Sequence, residues 1–357
     1  MAKFRYNVRP ASLYFDIHNL VCFQINSVYI LEFIKDINQP LSYFEHKPMK
    51  DPDVILNVKK FAPDKKACDV INNKIFIKKD YIFCSEIIDK VKIHCEIIGL
   101  ENFPTIINFS IDTRKLVHKL FPLLMAQNLV IRPLLDFKLL QKGVVSLHAA
   151  GVANNKGAII MTGRGGAFKT TLAMDLIRKS GYKFIGDDRL LLGKDKQVFA
   201  YPIYQKLFDY RLNKMETENF NFSSKLKFLL YSKNYDFNKK YVIDMSKLYK
   251  LFSIVKHRKN SIDHREITKN DFIKKIRLSQ QLENISVPGI MNMTSGVMYE
   301  YFSAYAYKFP FSKIATYWSD YENTLLNNLD ENEYREVFIP FEYDDKIYNG
   351  ILKFIQN

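Results

Sequence analysis

A chain of 357 residues is long enough for two domains, and 47% hydrophobic with 14% aromatic content supplies the side chains for substantial cores. That composition excludes a disordered or low-complexity protein. The net charge of +15, from 53 Lys and Arg against 38 Asp and Glu, is spread as lysine pairs rather than gathered in one tail. A solvated lysine-rich surface accounts for it, with attraction to an anionic partner (an acidic peptide, a nucleic acid or a membrane surface) as the alternative.

The opening MAKFRYNVRPA lacks an apolar signal core, and no run reaches transmembrane length. Cys22, Cys68, Cys84 and Cys95 form no CxxC pair and have no His cluster at metal spacing, so they read as reduced thiols. A cytoplasmic protein with no membrane partner is expected.

Residues 1 to 112 read as a β-rich accessory domain. Ala11 to Gln24, Val28 to Ile34, Val54 to Lys60, Lys74 to Ile77, Tyr81 to Ser85 and Val91 to Ile98 are rich in Ile, Val, Tyr and Phe. Asn72-Asn73 and Lys78-Lys79-Asp80 punctuate hairpins, and His18, His46 and His94 stand alone. Thr113 to Gln141 turns helical, with Pro122 and Pro133 expected to break it into pieces.

Val144 to Val152 is an apolar run interrupted by Ser146 and His148, and Ala158 to Met161 suits a buried strand. Gly163, Arg164, Gly165, Gly166, Ala167, Phe168, Lys169, Thr170 and Thr171 follow, then an amphipathic helix ended by Gly181. Tyr182 to Ile185 is a strand running into Asp187-Asp188. Strand, glycine-rich loop, Lys-Thr, helix, strand and paired Asp make a nucleotide phosphate site. Glycines let backbone N–H groups converge on an anion, and the helix adds the positive end of its dipole. Lys169 can reach the outer phosphates, a Thr hydroxyl can ligate magnesium, and a carboxylate can hold the metal or take a proton. Phe168 stands where the P-loop pattern has Gly. A bulky residue resists positive φ, so the loop is expected to stay helical there or to be displaced.

Beyond the loop, Val198 to Leu207 contains YPIYQKL, and residues 214 to 240 read as an inserted lid or loop. Arg189 could neutralise a phosphate or Asp188, and Arg211 is a weaker candidate of that kind. Tyr241 to Val255 is strand-like, and His257-Arg258-Lys259 is a basic cluster. Asp271 to Leu282 and Gly296 to Tyr307 read as helices, followed by a strand at Glu336 to Phe341 and a helix at Lys346 to Ile355.

LHAAGV, AIIMTGRGGAFKTT and FIGDDR, in that order, resemble the core of HPr kinase/phosphorylase and its relatives, ATP-dependent phosphoenolpyruvate carboxykinase and the HPr-kinase-like enzymes that modify lasso-type peptides. The resemblance spans about Gly143 to Leu207, and Phe168 departs from the family's usual Gly. It implies an α/β (α+β) fold with a P-loop core of that type behind the β-rich domain. The expected segments are 1–112, a helical connector 113–141, a catalytic domain 142–310 and a C-terminal α/β extension 311–357.

The resemblance further implies ATP and Mg²⁺ as cofactors, Asp187 as base, Asp188 and Thr170 on the metal, and His148 near the reacting groups. It puts a basic residue matching Lys206 beside the outer phosphates. The implied activity is transfer of phosphate to a Ser or Thr hydroxyl on a peptide or small protein, with a homo-oligomer left open. HPr itself suits the long N-terminal region less well, and carboxykinase activity is disfavoured by length and by the lack of a second arginine cluster. The alternatives are a nucleotide-binding regulator in which Phe168 prevents transfer, or a nucleic-acid-directed phosphotransferase.

Overall fold

The computed structural model describes residues 11–27, 41–88, 91–112, 122–203, 208–209, 211–212, 241–285, 296–330 and 334–357. The expected strand at Val28 to Ile34, the 214–240 insert and Lys206 lie outside them. The fold is mixed α+β, with two nine-stranded sheets. It divides into two units, Met1–Lys142 with Glu283–Ser319, and Gly143–Leu282 with Asp320–Asn357.

The first unit is built on β1 (Ala11–Ile17), β2 (Val21–Ser27), β3 (Glu45–His46), β4 (Val54–Val58), β5 (Asp69–Ile71), β6 (Ile75–Lys78), β7 (Tyr81–Ile88), β8 (Val91–Ile98) and β9 (Thr105–Asp112). Their order is β3-β1-β2-β4-β9-β8-β7-β6-β5, with β2, β4 and β9 mutually parallel. Alternation is strict in β2 and β4, so one face holds Phe23, Ile25, Leu56 and Val58 in the core. The segment expected as one strand from Ala11 to Gln24 is a hairpin, turned by His18 and Asn19 at positive φ, with Asn19 N–H donating to Asp16 Oδ1 at 2.7 Å. Asn72 and Asn73, both at positive φ, turn the β5–β6 hairpin as expected.

The opposite face carries an amide ladder. Asn26 Nδ2 donates to Asn57 Oδ1 at 3.0 Å, Asn57 Nδ2 to Asn108 Oδ1 at 3.1 Å, and Asn108 Nδ2 to Glu96 Oε2 at 2.7 Å. These residues are direct cross-strand partners, so the ladder fixes register across four strands.

Helix α1 (Pro122–Ala126) continues through a π segment (Gln127–Ile131) into α2 (Arg132–Gln141). Pro133 therefore does not break the run. A proline cannot donate to the carbonyl four residues back, and the widened π turn absorbs the missing bond. These helices belong to the first unit rather than forming a separate connector.

The second unit contains β10 (Val145–Leu147), β11 (Ala149–Asn154), β12 (Gly157–Thr162), α3 (Lys169–Ser180), β13 (Lys183–Gly186), β14 (Leu190–Leu192), β15 (Gln197–Phe199), β16 (Met245–His257), β17 (Asp263–Ile267) and α4 (Lys269–Ile285). After α5 (Gly296–Lys308) of the first unit and α6 (Tyr317–Asn328) come β18 (Tyr334–Pro340) and α7 (Asp345–Gln356). β12, β16 and β18 run parallel at the centre, β11 lies antiparallel to β12, and β13 to β11.

The C-terminal segment is thus no extension, since β18 is part of the central sheet. α7 presents Ile347, Ile351 and Ile355 at every fourth position to the same core as Leu172 and Leu176 of α3 and Ile159 and Met161 of β12. Asp344 caps α7, its Oδ1 accepting from Ile347 N–H at 3.0 Å. Among the described residues, no helix is long and apolar enough to cross a membrane.

Candidate functional site

The glycine-rich loop connects β12 to α3, as the sequence predicts. β12 is buried throughout and apolar up to Thr162, which sets the loop at the edge of the central parallel strands. Gly163 is required at the exit: its φ is 143°, and a Cβ there would stand 2.6 Å from the Ile254 carbonyl oxygen of β16. Beyond it, a Cβ on Gly165 or Gly166 would meet nothing within 4 Å, so the loop's tip leaves open room for a ligand.

Lys169 begins α3 and is buried. Its Nζ donates to the carbonyl oxygens of Gly163 at 2.7 Å and Arg164 at 3.2 Å, and lies 3.3 Å from His148 Nε2. The ammonium has no lone pair, so Nε2 is the acceptor and the imidazole proton sits on Nδ1. Nδ1 in turn lies 3.2 Å from Asp188 Oδ1. A chain Lys169–His148–Asp188 results. The backbone that carries the central ring is held as well: the His148 N–H donates to Gln280 Oε1 at 3.1 Å, and Gln280 is buried on α4.

The two acids are turned apart. β13 ends at Gly186; Asp187 is half-buried, and the Thr170 hydroxyl donates to it at 2.8 Å from Oδ1 and 3.0 Å from Oδ2. Asp188 takes a left-handed φ of 69° and is exposed. Burial pushes the Asp187 carboxyl above its ordinary value, and the Asp188 charge adds to this; the Thr170 hydrogen bond and the Lys169 charge oppose it.

Phe168 corrects the expectation from sequence. It neither stays helical nor displaces the loop: φ is 59° and ψ is 18°, the left-handed conformation that a glycine would supply. The ring explains how. It meets Tyr343 edge-on at 5.3 Å and lies beneath Lys256, whose Nζ is 3.9 Å from the ring centroid. Contacts from two distant strand ends thus hold a backbone that the local sequence disfavours. Lys256, Tyr343 and Gln280 have no local signal, since each reaches the loop only through tertiary packing.

Of the other candidates, Thr171 lies in the first turn of α3, and Arg189 is buried with Nη1 donating to Ser146 Oγ at 3.2 Å. Arg189 is therefore embedded behind β10 rather than presented at the surface. The Arg211 carbonyl accepts from Arg178 Nη2 at 2.7 Å. Among the described residues, no group of three or more His, Cys, Asp or Glu is arranged to hold a metal. Thr170, Asp187 and Asp188 instead offer hard oxygen donors suited to a magnesium ion that keeps waters and phosphate oxygens as its other ligands. No family model and no curated protein matches the chain.

Proposed function

We propose that the protein is an ATP-dependent phosphotransferase acting on a hydroxyl of a peptide or small protein. The observation that carries this reading is the convergence of Lys169, Thr170, His148, Asp187 and Asp188 at the end of β12, where α3 begins. Lysine, hydroxyl and two differently placed carboxylates are what phosphoryl transfer requires, because catalysis there is mainly positioning and charge neutralisation.

Lys169 would exchange its loop carbonyls for phosphate oxygens. The contact between Thr170 and Asp187 supports these two as the magnesium holders, and exposure supports Asp188 as the base. That exchanges the roles of the two acids expected from the family resemblance. The bound ion would neutralise charge on the phosphates. Asp188 would accept the proton of the acceptor hydroxyl, while the His148 Nδ1–H bond orients that carboxylate. The regulator alternative loses its motive, because Phe168 already takes the left-handed backbone conformation. A cytoplasmic setting agrees with four free cysteines, two of them (Cys84 and Cys95) directly opposed on β7 and β8.

The test is calorimetric binding of ATP with magnesium to the wild type and to Lys169→Ala, with ADP release followed in Asp187→Asn and Asp188→Asn. Expected is binding that depends on Lys169. Metal dependence should be lost in Asp187→Asn, and turnover should be lost with binding retained in Asp188→Asn. Binding unaffected by Lys169→Ala refutes the site, and full turnover in Asp188→Asn refutes the assignment of the base.

A further inference from the structure

A cavity of about 690 Å³ lies within the second unit, toward the strand ends opposite the glycine-rich loop. Strand pairing leaves room for it. β12 accompanies β16 from Leu248 onward, but β18 joins only at Phe252, so Leu248 to Leu251 pair with β12 alone among the described strands. Leu248 stands opposite Ala158 near the start of β12, whereas the glycine-rich loop leaves from the other end at Thr162. The last turn of α7 lines the gap with Lys353 and Phe354. Buried Leu251, Tyr334 and Val337 and half-buried Tyr249 give it apolar walls. Four cations share that lining, Lys196, Lys250, Arg335 and Lys353, against the single carboxylate Asp330. Asp330 pairs with Lys196, and Arg335 Nη2 pairs with Glu266 at 3.2 Å. Lys250 Nζ donates instead to main-chain carbonyls of α7, those of Phe354 at 2.8 Å and Ile355 at 3.3 Å. The helix end satisfies its protons but supplies only a partial counter-charge. Lys353 is exposed on the same turn, and among the described residues neither lysine has an acid within ion-pair distance.

We propose that this cavity binds a small amphiphilic anion, an apolar body about two rings in size with one carboxylate, sulfonate or phosphate head. The site is separate from the phosphate loop and does not depend on the nucleotide reading. Its volume lies within the roughly 300–1,000 Å³ of small-molecule pockets, which are mostly apolar with a few charged groups that fix orientation. Charge selects the head. Two lysines without acidic partners attract an anion and repel a metal ion or an amine. Burial weakens the hold of Lys250 on its proton, so an anion beside it relieves a charge that the surroundings leave uncompensated. The walls select the body. Tyr249 and Phe354 flank the Lys250 ammonium, which lies 5.7 Å and 5.0 Å from their ring centroids. A ligand with its head at Lys250 and Lys353 therefore lays its apolar part on those rings. A bare inorganic anion would gain nothing from them and would lose its water.

The experiment titrates the full chain with anilinonaphthalene sulfonate, followed by its fluorescence, and with phenylnaphthylamine, the same ring system without the sulfonate. Lys353→Glu reverses an exposed charge at the cavity. Lys79→Glu makes the same change of net charge on the exposed β6–β7 turn of the first unit. His264→Trp fills the cavity from an exposed lining position whose ring already lies 5.8 Å from that of Phe354. Expected is one tight sulfonate site per chain, at least about tenfold tighter than for the neutral dye. Lys353→Glu should weaken the sulfonate by about threefold to tenfold and leave the neutral dye unchanged, with Lys79→Glu close to wild type. His264→Trp should abolish the tight site. The absence of a tight site, or equal affinity for the two dyes, overturns the anion pocket. Equal weakening by Lys353→Glu and Lys79→Glu would show attraction to net charge alone and also overturns it. Unchanged binding in a folded His264→Trp puts the dye elsewhere, and if that variant does not fold, the comparison of the two charge reversals decides.

Discussion

Phe168 offers a test in which two substitutions must rank in an unusual order. Replacing it with alanine removes the edge contact to Tyr343, worth about 0.5–1.5 kcal/mol, and the Lys256 contact, worth about 0.5–1 kcal/mol. The half-buried ring's transfer from water adds about 1 kcal/mol. Alanine keeps the left-handed backbone and its cost of about 1–2 kcal/mol, so Phe168→Ala should destabilise the second unit by about 2–3 kcal/mol. Glycine loses the same ring contacts but relieves the backbone. Phe168→Gly should therefore be more stable than Phe168→Ala by about 1 kcal/mol, the reverse of the order in a helix interior. Differential scanning calorimetry reads this as a separation of about 2–4 °C between the variants for a unit of this size. ATP binding to Phe168→Gly should stay within about threefold of wild type, since the backbone conformation is kept. Alanine equal to or above glycine would refute the left-handed assignment, and with it the argument that packing restores the loop.

Three further outcomes follow from the same reasoning. Asp187 has a carboxyl held above its ordinary 3.8, so the folded state binds its proton more tightly and stability falls as pH rises above 3.8. Asp187→Asn should flatten that fall and raise the ligand-free melting temperature at pH 7, while lowering magnesium-dependent turnover by about 10²–10⁴-fold. Lys138, buried with Nζ on the carbonyls of Leu100 at 2.9 Å and Asn102 at 2.6 Å, is pulled by burial from 10.5 to about 8. Between those values the unfolded chain holds the extra proton. The first unit should therefore gain up to about 2 kcal/mol from pH 8 to 9.5 in denaturant titrations, and Lys138→Met should abolish the slope. Asn57→Ala removes two rungs of the amide ladder and should cost the first unit about 1–3 kcal/mol in urea unfolding, with ATP binding unaffected.

The loop, its helix and the paired acids were legible because their signals are local: an apolar strand, clustered glycines, Lys-Thr, and a helix closed by Gly181. Helices α4 and α7 were likewise expected, with bounds short of the observed ones by two or three residues in α4 and by one in α7. What escaped depends on partners remote in sequence. β9 and α6 had no expectation attached, and the Ala11–Gln24 turn was hidden because His18 and Asn19 resemble no Gly-based hairpin signal. Arg189 next to the acids looked like a phosphate ligand, yet the chain turns at Asp188 and buries it. The segment 311–357 read as an appendage because a strand that joins a sheet from the far end of the chain has nothing beside it in sequence to pair with.

That last strand and helix bear directly on the loop. Tyr343, between β18 and α7, lies against Phe168, and its hydroxyl donates to Asp175 of α3 at 2.8 Å. Lys179 Nζ meets Asp345 at 2.7 Å, and the Ser180 and Tyr348 hydroxyls are 2.7 Å apart. The C-terminal segment therefore grips α3 along the helix whose first residue is Lys169. A loop lacking the usual glycine needs such a grip, because a left-handed Phe persists only where its surroundings over-determine it. Tyr343→Ala should thus do more than remove an exposed-edge contact: it frees the Phe168 ring on one side and leaves Asp175 without that donor. If the grip holds the loop, Tyr343→Ala weakens ATP binding from a position outside the glycine-rich loop, and adding Phe168→Gly restores it, since glycine holds the left-handed backbone unaided. Equal weakening in the single and double variants would mean that Tyr343 acts on α3 alone.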